Sequence, residues 1–293
     1  MLNAHELLVM PTRTMKEADR DYAVVCAIPA DAEGILYVLG RQPSDTRKLE
    51  GGTIDVGNVQ FGGHEAVVIF NDVFVPWARV FMCGEFAYTG ELVELFAGYH
   101  RASYGGCKVG VGDVLIGAAR AMARLNGIDK ASAIKDKLIE MVHLNETLYA
   151  CGLACSTEGV VTASGTYMID QKLANVCKLN VTRFPYQMAS LAQDIAGGLL
   201  VTLPSEKDFA NPEVGPLLNK YLAGAAGYPT SHRQRILRLI ENLTIGSGAV
   251  AYLTESLHGA GSPMAQRIML GRLADFDEKE RLAEIVAGII ASD

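Results

Sequence analysis

His100, Tyr104, Cys107 and Lys108 are separated by four, three and one residues. On a helix these positions share one face. Such a face ordinarily carries leucine or valine against a core. Here it carries an imidazole, a phenol, a thiol and an ammonium, which are costly to bury unless each has a partner or a task. Helical rise places His100 and Cys107 about 10 Å apart along the axis. That span suits a metal cluster; a single zinc ion would need the chain to break at Gly105-Gly106. A polar face at an oligomer interface or a ligand cleft accounts for the same four residues, because a lone His-x6-Cys is a weak motif.

The helix that must present this face is read over Glu91 to Asn126, interrupted at Gly105-Gly106. Ala131 to Ser156 follows, with apolar positions at Ile134, Leu138, Met141, Val142, Leu148 and Leu153. Asp170 to Leu203 reads as a third long helix. Ser231, with Gln234 three residues on, reads as a capping box opening a further helix. Glu278 to Ala291 closes the chain. Long helices with short connections predict an antiparallel bundle.

The first 85 residues have another period. Tyr22–Ile28, Gly34–Leu39, Ala66–Phe70 and Val73–Val75 are short apolar runs bounded by Pro29, Gly40, Asn71-Asp72 and Pro76. Runs of β-branched and aromatic residues between turn signals predict strands. The expected class is α+β: a partial β domain over 1–85, then a helical bundle over 86–293. So few strands leave sheet edges open, which predicts a missing N-terminal portion or an oligomer that covers them.

The formal charge of −7 gives no global attraction to nucleic acid or anionic membrane. No apolar run approaches the roughly 20 residues of a membrane span, and the first residues lack a basic and apolar signal. A cytoplasmic location is the expectation. The six cysteines, at 26, 83, 107, 151, 155 and 177, include no CxxC pair. That removes zinc-ribbon and thioredoxin readings and leaves each cysteine as a small core residue by default.

The string HRASYGGCKVGVGD, from His100 to Asp113, resembles the segment of 4-hydroxybutyryl-CoA dehydratases that supplies two ligands of a [4Fe–4S] cluster. FGGHEAVVIFNDVFVP at 61–76 and YLTESLHGAGSP at 252–263 are similar to two active-site segments of that family. DKLIEMVHLNETLYACG and CKLNVTRFPYQ also look like it. The resemblance implies that His100 and Cys107 are cluster ligands. It implies that Tyr104, Lys108, Glu65 and Glu255 are active-site residues, the two glutamates serving proton transfer where burial favours it. It implies a fold like acyl-CoA dehydrogenases, an acyl-CoA substrate and a homotetramer.

The resemblance implies two further cluster ligands, in a C-x3-C motif, from an N-terminal helical domain expected outside this chain, on a separate chain or in an upstream reading frame. Cys151-Gly-Leu-Ala-Cys155 has the same spacing, but its place in the second helix favours core packing. Gln193-Asp-Ile-Ala-Gly-Gly198 resembles the glutamine and paired-glycine motif of acyl-CoA dehydrogenases that touches FAD. Gly197-Gly198 as a helix kink explains it equally. Gly259 and Gly261, in His258-Gly-Ala-Gly-Ser262, form a second loop whose backbone N–H groups suit a cofactor. The implied function is dehydration of 4-hydroxybutyryl-CoA to crotonyl-CoA with vinylacetyl-CoA isomerisation, dependent on FAD and [4Fe–4S]. Two alternatives stand beside it: a flavin-dependent aromatic monooxygenase of the 4-hydroxyphenylacetate group, and a truncated, inactive fragment or assembly partner.

Overall fold

The computed structural model describes residues 4–39, 52–54, 66–246 and 248–290. Strands come first: β1 (Glu6–Val9), β2 (Val24–Pro29), β3 (Ile35–Leu39), β4 (Ala66–Phe70) and β5 (Val80–Cys83). β2 lies between β1 and β5 in one antiparallel sheet, while β3 and β4 form a separate antiparallel ladder. The register shifts between Val25 and Cys26, and both side chains are buried. A bulge breaks the alternation that otherwise sends neighbours to opposite faces. Val73–Val75, expected as a strand, is irregular, and the pairing segment is β5 instead. Pro76 lacks an N–H and restricts the residue before it, so the chain turns through Trp77–Arg79 before pairing resumes.

The helices begin with α1 (Thr89–Leu125), a continuous 37-residue helix. The expected break at Gly105-Gly106 is absent. Gly105 instead lets α2 (Ser132–Thr157) approach: a Cβ on Gly105 would stand 2.5 Å from the Gly152 Cα. After a short hairpin of β6 (Val160–Val161) and β7 (Tyr167–Met168), the expected third long helix is three pieces, α3 (Gln171–Val181), α4 (Phe184–Ala196) and α5 (Leu199–Thr202). Pro185 cannot donate back across the α3–α4 junction, and Gly197, at φ 75°, ends α4. Two short helices, α6 (Glu206–Ala210) and α7 (Gly215–Tyr221), lead to α8 (Thr230–Thr244). Pro229, in extended conformation, stands at the α8 N-cap, so Ser231 lies inside the helix and is not its cap.

A π-helical turn at Val250–Thr254 runs into α9 (Glu255–His258), followed by α10 (Pro263–Leu273) and α11 (Phe276–Val286). The Asp275 side chain accepts from Glu278 N, which moves the start of α11 ahead of the expected Glu278. Leu115, Met122, Met141, Met188, Ile195, Leu237 and Ile240 form a fully buried core between α1, α2, α4 and α8. Each such side chain contributes roughly 1.5–3 kcal/mol relative to exposure. The fold is therefore mixed sheet and helix with a helical bundle. Among the described residues no helix is long and apolar enough to cross a membrane.

Candidate active site

The α1 face carries its four groups at different depths. Tyr104 and Lys108 are buried, His100 is half-buried and Cys107 is exposed. The His100 ring stacks on Tyr104 with centroids 5.2 Å apart and planes at 21°, and Phe96 meets His100 edge-on at 5.9 Å. Desolvation is the main influence on His100, lowering its pKa below the usual histidine value. The imidazole is therefore neutral at pH 7 and has a lone pair to offer. Desolvation also raises the Cys107 thiol, outweighing the adjacent Lys108 ammonium, so the sulfur stays protonated until a metal or a base displaces the proton.

Glu255 comes to this face from the other side of the sequence. Lys108 Nζ donates to Glu255 Oε2 at 2.9 Å and to the Ala251 carbonyl at 2.6 Å. The Glu255 side chain is 37% exposed and ion-paired, not enclosed in the apolar surroundings that the sequence reading required for a proton carrier. The π-turn before it inserts one extra residue per turn, a common way of aiming a functional side chain out of a regular helix. Glu65 lies outside the described residues.

Gly259 sits against the same cluster. A Cβ there would stand 2.1 Å from the Tyr104 hydroxyl oxygen, so the phenol needs a glycine opposite it. Gly261 has φ 99° and faces Arg101, whose Nε donates to the Ala260 carbonyl at 3.0 Å. Gln193, Gly197 and Gly198 are elsewhere. The 2.5 Å Lys137–Asp194 ion pair places the end of α4 beside the start of α2, many turns of α1 from His100. Gln193 Nε2 donates to the Thr244 carbonyl at 3.5 Å, and no neighbour would obstruct a Cβ at Gly197 or Gly198.

Lys178 escaped the sequence reading. It is fully buried on α3, its Nζ donates to the Ser256 carbonyl at 2.5 Å, and it lies 5.2 Å from the Tyr104 ring centroid. Lys108 Nζ lies 5.0 Å from the same ring. Burial, with Arg101 and Lys108 nearby, pulls Lys178 down to about 8. The signal in the sequence was a lysine inside the apolar stripe Ala174, Cys177 and Val181. Arg101, also buried, donates through Nη1 to Asn175 Oδ1 at 3.0 Å, beside Lys178 on α3.

Cys155 is buried and bonds the Gly152 carbonyl within its own helix, in keeping with core packing. Cys26 and Cys177 are buried as well, and desolvation pushes the Cys177 thiol up to about 12. Cys83 is exposed, which departs from the core expectation. Among the described residues, no three His, Cys, Asp or Glu side chains are gathered to hold a metal ion.

This arrangement has relatives. The family model described as 4-hydroxyphenylacetate 3-hydroxylase C terminal matches residues 89–288, and its N-terminal counterpart matches residues 1–82. The chain belongs to the 4-hydroxyphenylacetate 3-hydroxylase family. Within this family it is 57% identical, over 98% of its length, to the 4-hydroxybutyryl-CoA dehydratase/vinylacetyl-CoA-Δ-isomerase of Clostridium aminobutyricum, and it covers 61% of that protein. It matches the oxygen-tolerant archaeal 4-hydroxybutyryl-CoA dehydratase of N. maritimus with a TM-score of 0.95 and 58% identity, over 99% of this chain and 58% of that one. A mutant HpaB solved in complex with FAD matches with a TM-score of 0.83 and 25% identity, over 97% of this chain and 60% of that one. Butyryl-CoA dehydrogenase of Megasphaera elsdenii, at 14% identity and a TM-score of 0.51, covers 92% of this chain and 55% of its own; it shares the fold alone. The chain thus spans about three-fifths of the dehydratases it resembles.

Proposed function

We propose that this chain forms the site-bearing part of a 4-hydroxybutyryl-CoA dehydratase with vinylacetyl-CoA isomerase activity. Residues 1–85 would be its β domain and 86–293 its acyl-CoA dehydrogenase-like bundle. The observation that supports it most is the α1 face, where His100 stacks on Tyr104 and Cys107 lies within the influence of the Lys108–Glu255 pair, in a chain 57% identical to a named dehydratase. The monooxygenases it resembles are further away, at 28% identity for the Thermus thermophilus oxygenase component against 57% for the dehydratase.

The donor set fits part of a [4Fe–4S] site. A neutral imidazole and an exposed thiol offer two ligands, and such clusters take four. The other two would come from an N-terminal helical portion, in the same chain or another. When bound, FAD supplies one-electron chemistry and the cluster a Lewis-acidic iron toward the departing hydroxyl. Gln193, Gly197, Gly198, Gly259 and Gly261 are the proposed backbone and side-chain contacts to FAD, the first three meeting it from a neighbouring subunit of a homo-oligomer.

The chain's own groups do the rest. His100 has one imidazole lone pair, so it would serve as a base toward the substrate only while that nitrogen is not holding the cluster. Glu255 Oε2, partly exposed and ion-paired with Lys108, is proposed as the carboxylate that accepts a proton from the acyl chain, a role that does not need the apolar enclosure expected of a carboxylic acid donor, and Glu65 as the second carboxylate. Lys108 and the Tyr104 hydroxyl stabilise negative charge developing on the thioester oxygen. The test is anaerobic assembly of this chain with the N-terminal portion of the Clostridium relative, then parallel assays. Crotonyl-CoA formed from 4-hydroxybutyryl-CoA, without hydroxylation of 4-hydroxyphenylacetate, is the expected result. Hydroxylation by reduced flavin and oxygen, with no crotonyl-CoA, would transfer the chain to the monooxygenase reading.

A further inference from the structure

A fully buried lysine carries a desolvation cost that a methionine of similar length would avoid. Lys178 bears that cost beside two other cations, Arg101 and Lys108, with Glu255 as the nearby carboxylate. The bond it makes has a specific target. α9 ends at His258, so the last carbonyls of that helix lack donors from a following turn. The Glu255 carbonyl is met by Gly259 N at 2.7 Å and the His258 carbonyl by Gly261 N at 3.2 Å. The Ser256 carbonyl is met by Lys178 Nζ. Lys108 performs the same service five residues earlier, at Ala251 in the π-turn. Two ammonium groups, one from α1 and one from α3, therefore meet the backbone on either side of Glu255, and they lie 5.0 and 5.2 Å from the Tyr104 ring centroid.

We propose that Lys178 is a positioning residue: through the Ser256 carbonyl and the Tyr104 ring it holds the 250–258 segment, and so Glu255, in register with His100 on α1. Lys108 holds the segment at the Ala251 carbonyl and the Glu255 carboxylate, but both bonds meet at one ammonium on α1, about which the segment can pivot. The second tether, from a different helix, removes that freedom. The inference rests on the reading of this face as the reacting site.

The experiment compares wild type with Lys178→Met, which keeps the bulk and loses charge and donor. Hydrogen exchange followed by mass spectrometry should show residues 250–262 exchanging on the order of tenfold faster, with α2 unchanged. The midpoint of thermal unfolding at pH 7 should stay within a few degrees, because relief of desolvation offsets the lost bond; a purely structural lysine would instead lower it. Assembled with the N-terminal portion of the Clostridium relative, the variant should lose kcat about tenfold with KM within about twofold, and Lys178→Arg, which restores a cationic donor, should recover part of it. Unchanged exchange at 250–262, or faster exchange spread evenly over α2 as well, would overturn the proposal. Lys178→Gln, whose amide is too short to reach Ser256, is read by the same two outcomes if the methionine variant does not fold. An inactive wild type with faster exchange in the variant would sink the dehydratase reading and leave this inference standing. An active wild type whose variant matches it in exchange and kcat would do the reverse.

Discussion

Tyr104 is the residue around which the site is organised: His100 stacks on it, Lys108 and Lys178 lie close to its ring and Gly259 lies against its hydroxyl. A methyl group added at 259 has 2.1 Å to share with that oxygen. Gly259→Ala should destabilise the protein by about 1–3 kcal/mol, since a buried ring cannot swing clear without disturbing its neighbours. Urea unfolding checks this, and a loss below about 0.5 kcal/mol would mean the phenol has room to move. Lys178 gives a pH signature. Its folded value of about 8 lies below the ordinary 10.5, so between these values the unfolded chain binds more protons and stability rises with pH. The groups facing it are Arg101, Lys108, Glu255, Cys177 and His100. The raised Cys177 thiol acts in the opposite direction above pH 9, since it holds its proton only in the folded state. Referencing to Lys178→Met removes that contribution. Wild type should gain about 3 kcal/mol on the variant between pH 7.5 and 10.5, and a flat difference would place the ammonium in a more polar setting than the fold shows.

At the scale of elements, the paired glycines of α1 have opposite roles although they are adjacent. A Cβ on Gly152 would stand 2.8 Å from the Gly105 Cα, whereas nothing lies within 4 Å of one on Gly106. Gly152→Ala should therefore destabilise by about 1–3 kcal/mol, while Gly106→Ala should stabilise by about 0.5–1 kcal/mol through helix propensity. Thermal unfolding of both variants measures the contrast, and equal shifts would contradict the α1–α2 approach. This contrast also marks what was legible. Periodicity gave α1 and α2 nearly to their ends, because their apolar positions repeat over many turns. It read Gly105-Gly106 as a break because a sequence does not reveal the helix that packs on the first of the two. It joined α3, α4 and α5 because Pro185 and Gly197 interrupt the backbone without interrupting the apolar stripe. The face from His100 to Lys108 was legible from spacing. Its coupling to Glu255 depends on a contact across 147 residues, and Lys178, inside an apolar stripe, stood where only a core was expected.

The whole molecule leaves Phe74, Trp77 and Phe81 largely exposed in its β-rich part, at 84%, 76% and 66%. Large apolar side chains in that number suit burial against another subunit or another portion of the assembled enzyme. Sedimentation at micromolar concentration should therefore show a homo-oligomer, and a sharp monomer would contradict it. The central claim is that the α1 face, and not the Cys151-x3-Cys155 face of α2, carries the dehydration chemistry. The most direct measurement is the anaerobic rate of crotonyl-CoA formation by the assembled enzyme with Cys107→Ala and Cys151→Ala compared side by side. The account predicts that Cys107→Ala lowers the rate by a factor on the order of 100 or more, while Cys151→Ala leaves it within about threefold. A Cys107→Ala enzyme that keeps its rate while Cys151→Ala loses it would contradict the claim.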